Sequence, residues 1–218
     1  MLTIDYLPNH KEIKVCQDDT MFRINTDTMV LGEFLEIYKE DTVLDIGTNN
    51  GALLLYASLH KPKKLIGIDL NEKALELAKK NMVENHIENV ELKVADANTY
   101  VDEAVDVIIC NPPYFKTRKE DHGQNPYLAL AKHEDNLPLD NLIETMRKNL
   151  KNHGTLFFLF QTPRLEEVLR KLADHKFQIK KLQFVYDENK ENSNVVLIKA
   201  VKGGNQGLNV VKPIIIRR

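Results

Sequence analysis

Asn111-Pro112-Pro113-Tyr114 follows directly on the apolar run Val105-Asp106-Val107-Ile108-Ile109-Cys110. The run reads as a buried strand, so the tetrapeptide stands at its tip. It sets a side-chain amide, a backbone carbonyl held by proline and an aromatic face side by side. Those groups suit a flat molecule bearing an NH2 group, with acceptors for its hydrogens and a ring for its plane. Upstream, Val43-Leu44-Asp45-Ile46-Gly47-Thr48-Asn49-Asn50-Gly51 reads as a loop for a nucleoside-bearing cofactor. Asn-Pro and Pro-Pro also mark ordinary strand-ending turns, so the weight of both motifs depends on the elements that carry them.

Those elements alternate. Thr42 to Asp45, Lys64 to Asp69, Val90 to Ala95 and Val105 to Cys110 read as short apolar strands. Ala52 to His60 reads as a helix. Asn71 caps a second helix through about Asn85, with Ala74, Leu75, Leu77, Ala78 and Met82 at helical spacing. Leu139 to Leu150 reads as a helix stopped by His153-Gly154, and Thr155 to Phe160 as a fifth strand. Pro163 opens a helix to about Asp174. Phe177 to Tyr186 and Asn194 to Val201 read as a final antiparallel pair joined by Asp187 to Asn192. Strands alternating with helices predict an α/β fold with a mostly parallel, doubly wound sheet. Residues 1–40 are expected to form an N-terminal arm or pre-sheet segment, within which Met1 to Phe22 reads as either a short hairpin or an arm. Residues 41–218 are expected to form the single domain, with a loose loop at Lys202 to Gln206.

In such a sheet, ligands bind beyond the carboxyl ends of the strands. Here four successive strands end on Asp45-Ile46-Gly47, Asp69, Asp96 and Asn111. Gly47 and Gly51 allow tight turning and close approach. Asn49, between them, tolerates left-handed geometry better than most residues. Asp69 lies 18 positions after Gly51, where a carboxylate can accept from both ribose hydroxyls; Leu70 follows it. Asp96, followed by Ala97, can accept from an exocyclic adenine amine. Asp45 can orient the loop or meet the ammonium of an amino-acid-bearing cofactor. A dinucleotide also wants a Gly-rich loop and a ribose-binding acid. The Gly-x-x-x-Gly spacing and the acid before the first glycine depart from that fingerprint.

The ordered set resembles the class I S-adenosylmethionine-dependent methyltransferases, whose Rossmann-like fold matches the predicted sheet. Asn111-Pro112-Pro113-Tyr114 resembles the motif of the members that methylate adenine N6, cytosine N4 or glutamine N5. Phe22-Arg23-Ile24-Asn25-Thr26-Asp27-Thr28-Met29-Val30-Leu31-Gly32 and the tail Asn194 to Gly204 resemble the bacterial tRNA valine adenine-N6 methyltransferases. Asn49 departs from that family's usual glycine. The resemblance implies S-adenosyl-L-methionine as cofactor and an adenine in RNA as substrate, most directly a tRNA adenine near the anticodon. It implies that Thr26 and Asp27 approach the methionine end of the cofactor; the alternative for them is a helix N-cap.

The chemistry this implies needs no strong base. Hydrogen bonds from the two amine hydrogens of adenine to the Asn111 side-chain oxygen and the Pro112 carbonyl draw the nitrogen toward tetrahedral geometry. Pro113 stiffens the turn, and Tyr114 stacks on the base, a contact worth about 1–3 kcal/mol. The proton leaves after transfer, so the seven histidines are expected at the surface or in loops. Cys110 is expected to be a buried small apolar residue. Phe115, Lys116, Arg118 and Lys119 would lie at the pocket mouth, the three cations on phosphates. Thr117 to Asn136 reads as a loop that orders on substrate.

Composition sets outer bounds. The chain has 218 residues, 43% apolar and 28% charged, an ordinary soluble balance. No run approaches a membrane span, and no signal-peptide layout opens the chain. Two cysteines supply neither a disulfide framework nor a metal spacing, so no metal is expected and a cytoplasmic setting is. The net charge of −2 divides unevenly. Residues 1–146 hold 15 Lys+Arg against 26 Asp+Glu, and residues 147–218 hold 15 against 6. A basic third is a candidate polyanion surface; the alternative is a set of solvated faces. No protein partner is evident. Three other functions remain open. One is glutamine-N5 methylation of a release-factor-like protein, disfavoured by the short segment before the first strand. The others are DNA adenine methylation and a non-catalytic RNA- or cofactor-binding module.

Overall fold

The computed structural model describes residues 1–112 and 137–217. Apolar runs too short for helices and rich in Val, Ile and Leu form the centre of a nine-stranded sheet. Four parallel neighbours make its core: β3 (Thr42–Ile46), β4 (Lys64–Asp69), β5 (Val90–Val94) and β6 (Val105–Cys110). The strand order runs β5-β4-β3-β6, then β7 (Leu150–Gln161), β9 (Val195–Lys202) and β8 (Phe177–Asp187). The chain moves outward from β3 through β4 to β5, then returns to place β6 on the other side of β3. The β3/β6 boundary is therefore the switch point at which a ligand cleft opens.

Right-handed crossovers in opposite directions put helices on both faces. Helices α2 (Ala52–Ser58) and α3 (Glu72–Glu84) follow β3 and β4, and α4 (Leu139–Asn149) follows β6. Helix α1 (Thr26–Phe34) packs on α2, and α5 (Leu165–Asp174) packs on α4. Val107, Ile108, Ile109, Leu156, Phe157 and Phe158 are all essentially without exposed surface. That explains why these strands are continuously apolar rather than alternating. Antiparallel β7–β9 and β8–β9 pairs close the sheet as expected, through the 187–194 connection.

The structure departs from the sequence reading in three places. Helix α4 ends at Asn149, and β7 begins at once with buried Leu150, so His153-Gly154 does not stop the helix. The helix end is closed from a distance. The Asn149 side-chain amide donates to Thr145 O and Tyr100 O, and Lys202 Nζ donates to Arg147 O and Leu150 O. His153 instead sits inside β7 with φ 64, where the β6–β7 register shifts, as a bulge requires. Second, Pro163 lies in a 3-10 turn (Thr162–Arg164) that precedes α5. Third, the stretch after Gly207 adds β10 (Asn209–Val210) and β11 (Ile214–Ile216), both parallel to β8.

The N-terminal residues form a separate hairpin, β1 (Leu2–Leu7) with β2 (His10–Asp18). Two asparagine side chains one turn apart, Asn81 on α3 and Asn85 at its C-cap, serve as the next strand along β2. Asn81 Oδ1 accepts from Cys16 N at 2.7 Å, and Asn81 Nδ2 donates to Cys16 O. Asn85 repeats the pattern with Lys14 N and O.

Candidate functional site

Beyond the carboxyl ends of β3, β4, β5 and β6 lies a cleft of about 440 Å³, the size of a small-molecule site. The strand ends Asp69, Asp96 and Asn111 all line it, with Gly47, Asn49, Leu70, Ala97, Pro112 and Asp27. The geometry thus gathers residues spread over some eighty positions of sequence. Its near wall is the segment Met21–Asn25, which the hairpin presents.

The loop after β3 is built for close approach. Gly47 has φ 76 and Gly51 φ 79, and Asn49 adopts φ 49. Asn49 therefore takes the left-handed backbone its type allows. Its side chain also does what a glycine cannot: Nδ2 donates to Phe22 O at 2.8 Å, tying the loop to the wall. A Cβ built on Gly47 would meet no atom within 4 Å, so the backbone there faces open space. Gly51 faces the other way. It is buried at the start of α2, and a Cβ on it would come within 2.8 Å of Met82 Cε. Gly51 seats the loop on α3 rather than lining the cleft.

Asp69 is half-buried and holds the loop as well as facing the cleft. Its Oδ2 accepts from Asn49 N at 2.8 Å and its Oδ1 from Asn71 N at 2.9 Å. Burial raises its pKa, and backbone donors at Asn71, Asn49 and Leu70 oppose that rise. Asp96 Oδ1 accepts from the backbone and side chain of Asn98, which fixes the turn after β5. Asp45 lies beneath the loop, fully buried, and does not line the cleft. Burial pushes its pKa up to about 7, helped by the charge of Asp69 and opposed by the Thr48 hydroxyl. Neither Asp45 oxygen has a hydrogen bond of ordinary geometry among the described residues, nor does Thr48 Oγ1 or Asn50 Nδ2.

Asn25, not Thr26 or Asp27, caps α1, its side chain accepting from Thr28 N. Asp27 lines the cleft and Thr26 does not. Cys110 is fully buried and its thiol pKa lies well above the usual value, pushed up by burial and by Asp45, which removes it as a nucleophile. None of the five described histidines lines the cleft. Pro113, Tyr114, Phe115, Lys116, Arg118 and Lys119 lie outside the described residues, as does the stretch 117–136. Sequence reasoning missed Gln17, whose side chain accepts from Ile24 N and donates to Asp5, and Asn81. No motif marks them.

A family model described as a methyltransferase domain matches residues 37–208, and the chain belongs to that family. Over 94 residues the chain is 28% identical to the tRNA1(Val) (adenine(37)-N6)-methyltransferase of Aliivibrio salmonicida, covering 43% of this chain and 39% of that protein. The match thus spans about two fifths of that relative's length. Among solved structures, the M. jannaschii tRNA m1G37 methyltransferase superposes with a TM-score of 0.67 at 16% identity, over 94% of this chain and 57% of that one. A SAM-dependent methyltransferase from Aquifex aeolicus gives 0.59 at 18%, over 85% and 94%. At these identities the structures establish the shared fold.

The cofactor of this family and fold is S-adenosyl-L-methionine. The residues present fit it. The backbone at Gly47 is open to a ligand, Asp69 and Asp96 supply acceptors at two strand ends, and unsatisfied polar atoms gather under the loop between them. A sulfonium cofactor with an ammonium group suits a cleft whose lining holds Asp27, Asp69 and Asp96 against one described cation, Arg23.

Proposed function

We propose that this chain methylates the N6 amine of an adenine in RNA, most directly in tRNA near the anticodon. The observation that carries the reading is the place of Asn111 and Pro112. They stand at the end of β6, on the lining of the same cleft as Asp69 and Asp96. The tRNA adenine-N6 activity named for the Aliivibrio salmonicida relative supports it.

In this reading Asp69 holds the ribose and Asp96 the adenine amine of the cofactor, while Gly47 and Asn49 shape the loop around it. Thr26 and Asp27 lie toward the methionine end, Thr26 outside the lining of the cleft. When bound, the cofactor supplies an electrophilic methyl group. The chain's own residues prepare the acceptor. The Asn111 side-chain oxygen and the Pro112 carbonyl accept hydrogen bonds from the two amine hydrogens, which draws the nitrogen lone pair out of the ring; one of those protons leaves to solvent after the methyl group has moved. Tyr114 stacks on the base and, with Phe115, fixes its plane. Pro113 holds the turn. Lys116, Arg118 and Lys119 meet phosphates. Positioning of this kind can lower a barrier by up to ~7–11 kcal/mol, and no histidine is needed. An anticodon loop offers bases already partly unstacked, so little pairing energy is lost on entry.

The test is to supply the protein with radiolabelled S-adenosylmethionine and separate pools of tRNA, DNA and protein from cells lacking it. Label in tRNA is expected. Label on protein glutamine or on DNA would contradict the reading, and label in no pool would point to a binding module.

A further inference from the structure

Asn81 is an uncharged helix residue 1% exposed, and it stands behind the cofactor loop rather than in the cleft. Its three hydrogen bonds reach two separate parts of the chain. Oδ1 accepts from Cys16 N at 2.7 Å and Nδ2 donates to Cys16 O at 3.0 Å, both on β2. Nδ2 also donates to Asn50 O at 2.9 Å, in the loop after β3. Both amide hydrogens are thus engaged, one on the hairpin and one on the loop.

The same two parts meet again at the cleft. Asn49 Nδ2 donates to Phe22 O, and Gln17, next to Cys16, accepts from Ile24 N. Phe22 and Ile24 form the wall of the cleft, and Asn49 and Asn50 line it from the loop side. Hairpin, wall and loop are therefore linked by a continuous set of amide contacts along one side of the cleft. Among the described residues the hairpin shares no strand pairing with the main sheet. It is seated by Leu7, Ile13 and Val15 in the apolar core, by the Tyr56 hydroxyl donating to Pro8 O, and by these amide contacts with α3. Elements outside the ladder of a core sheet open locally at lower free energy than the sheet itself.

We propose that Asn81 is a positioning residue that couples the seating of the N-terminal hairpin to cofactor binding. A ligand that orders the loop holds Asn50 O in place, Asn81 passes that restraint to Cys16, and the wall at Phe22–Ile24 completes the set. The coupling is reciprocal: a loosened hairpin weakens the cofactor by the factor by which the cofactor steadies the hairpin. The inference rests on the S-adenosyl-L-methionine reading of the cleft and is independent of which substrate is methylated.

The experiment is residue-resolved hydrogen exchange on the whole chain, with and without S-adenosylhomocysteine, together with the Kd of that ligand by calorimetry. In the wild type, saturation should slow exchange at the Lys14 and Cys16 amides. Asn81→Ala should speed exchange there in the free protein, abolish the ligand-induced slowing and raise the Kd about tenfold, since two backbone carbonyls and one N–H lose their buried partner. Asn85→Ala, which frees Lys14 without touching the loop, should speed exchange at Lys14 and leave the Kd within about threefold. Wild-type binding with no added protection overturns the coupling, and this arm decides even if Asn81→Ala does not fold. Equal weakening by both variants overturns the assignment to Asn81. Failure of the wild type to bind the ligand at all overturns the cofactor reading and the coupling with it.

Discussion

Asp45 keeps a carboxyl fully buried with neither oxygen in a hydrogen bond of ordinary geometry among the described residues, and only the Thr48 hydroxyl acts against the rise of its pKa. Such a group is costly when charged, and burial lifts its pKa to about 7. An unfolded aspartate titrates near ~3.9. Between those values the folded state holds a proton that the unfolded state has lost. The contribution of Asp45 to stability is therefore complete below the unfolded pKa and is lost as pH rises through about 7. Asp45→Asn removes that slope. Denaturant unfolding of the cofactor-free protein should favour the variant increasingly from pH 5 to pH 7.5, by at most about 1.4 kcal/mol per unit. Parallel pH curves would contradict the burial argument. Asn111 makes a different prediction. Asn111→Ala should lower turnover by about 10²–10³, the cost of losing one preorganised hydrogen-bonding group, with the Kd of S-adenosylhomocysteine nearly unchanged. Equal loss in both would remove Asn111 from the acceptor role. The places of Asp69, Asp96 and Asn111 on the cleft were legible in the sequence because each is a polar residue following an apolar run; Asp45 was read as part of the same set and instead lies buried beneath the loop. The second duty of Asp69, gripping Asn49 N, was not legible, since that bond spans twenty residues and depends on how two strands lie side by side.

At the scale of elements, the cofactor loop is shaped as much by what lies behind it as by its own glycines. Gly51 presses on Ala78 and Met82 of α3 in a left-handed conformation. Gly51→Ala should cost roughly 1–2 kcal/mol from backbone alone, with more from the collision with Met82, and should weaken ligand binding as the loop shifts. Unchanged unfolding free energy would mean that the loop rides free of α3. Strands and helices with strong periodicity were readable almost to the residue, as with Lys64–Asp69 and the helix capped by Asn71. The α4–β7 junction was not. Its closure uses Lys202, whose approach to Arg147 O and Leu150 O no local pattern announces. Two and three residues at β10 and β11 are too short for period to show. They become strands because β8 offers a free edge.

Across the whole molecule, part of the charge asymmetry resolves into contacts between its two parts. Lys181 and Lys199 share Glu36, Lys171 meets Asp140 and Lys151 meets Asp106. In each case the base comes from the C-terminal third and the acid from the rest. Exposed pairs of this kind contribute at most about 1 kcal/mol each, but they leave less of the basic third for a polyanion than composition implied. The cations proposed for RNA are therefore those beside the acceptor motif. Neutralising Lys116, Arg118 and Lys119 together should weaken RNA binding and reduce the salt slope by about 2, from roughly 0.7 per phosphate contact; an unaltered slope would place the RNA elsewhere. The most direct measurement of the central claim is the position of the transferred methyl group. tRNA treated with the protein and isotopically labelled S-adenosylmethionine would be digested and its labelled nucleoside identified by mass spectrometry against standards. In the proposed reading Asn111 and Pro112 accept from an exocyclic amine with two hydrogens to donate, so N6-methyladenosine is the expected product. A methyl group on a ring nitrogen or a ring carbon would contradict it.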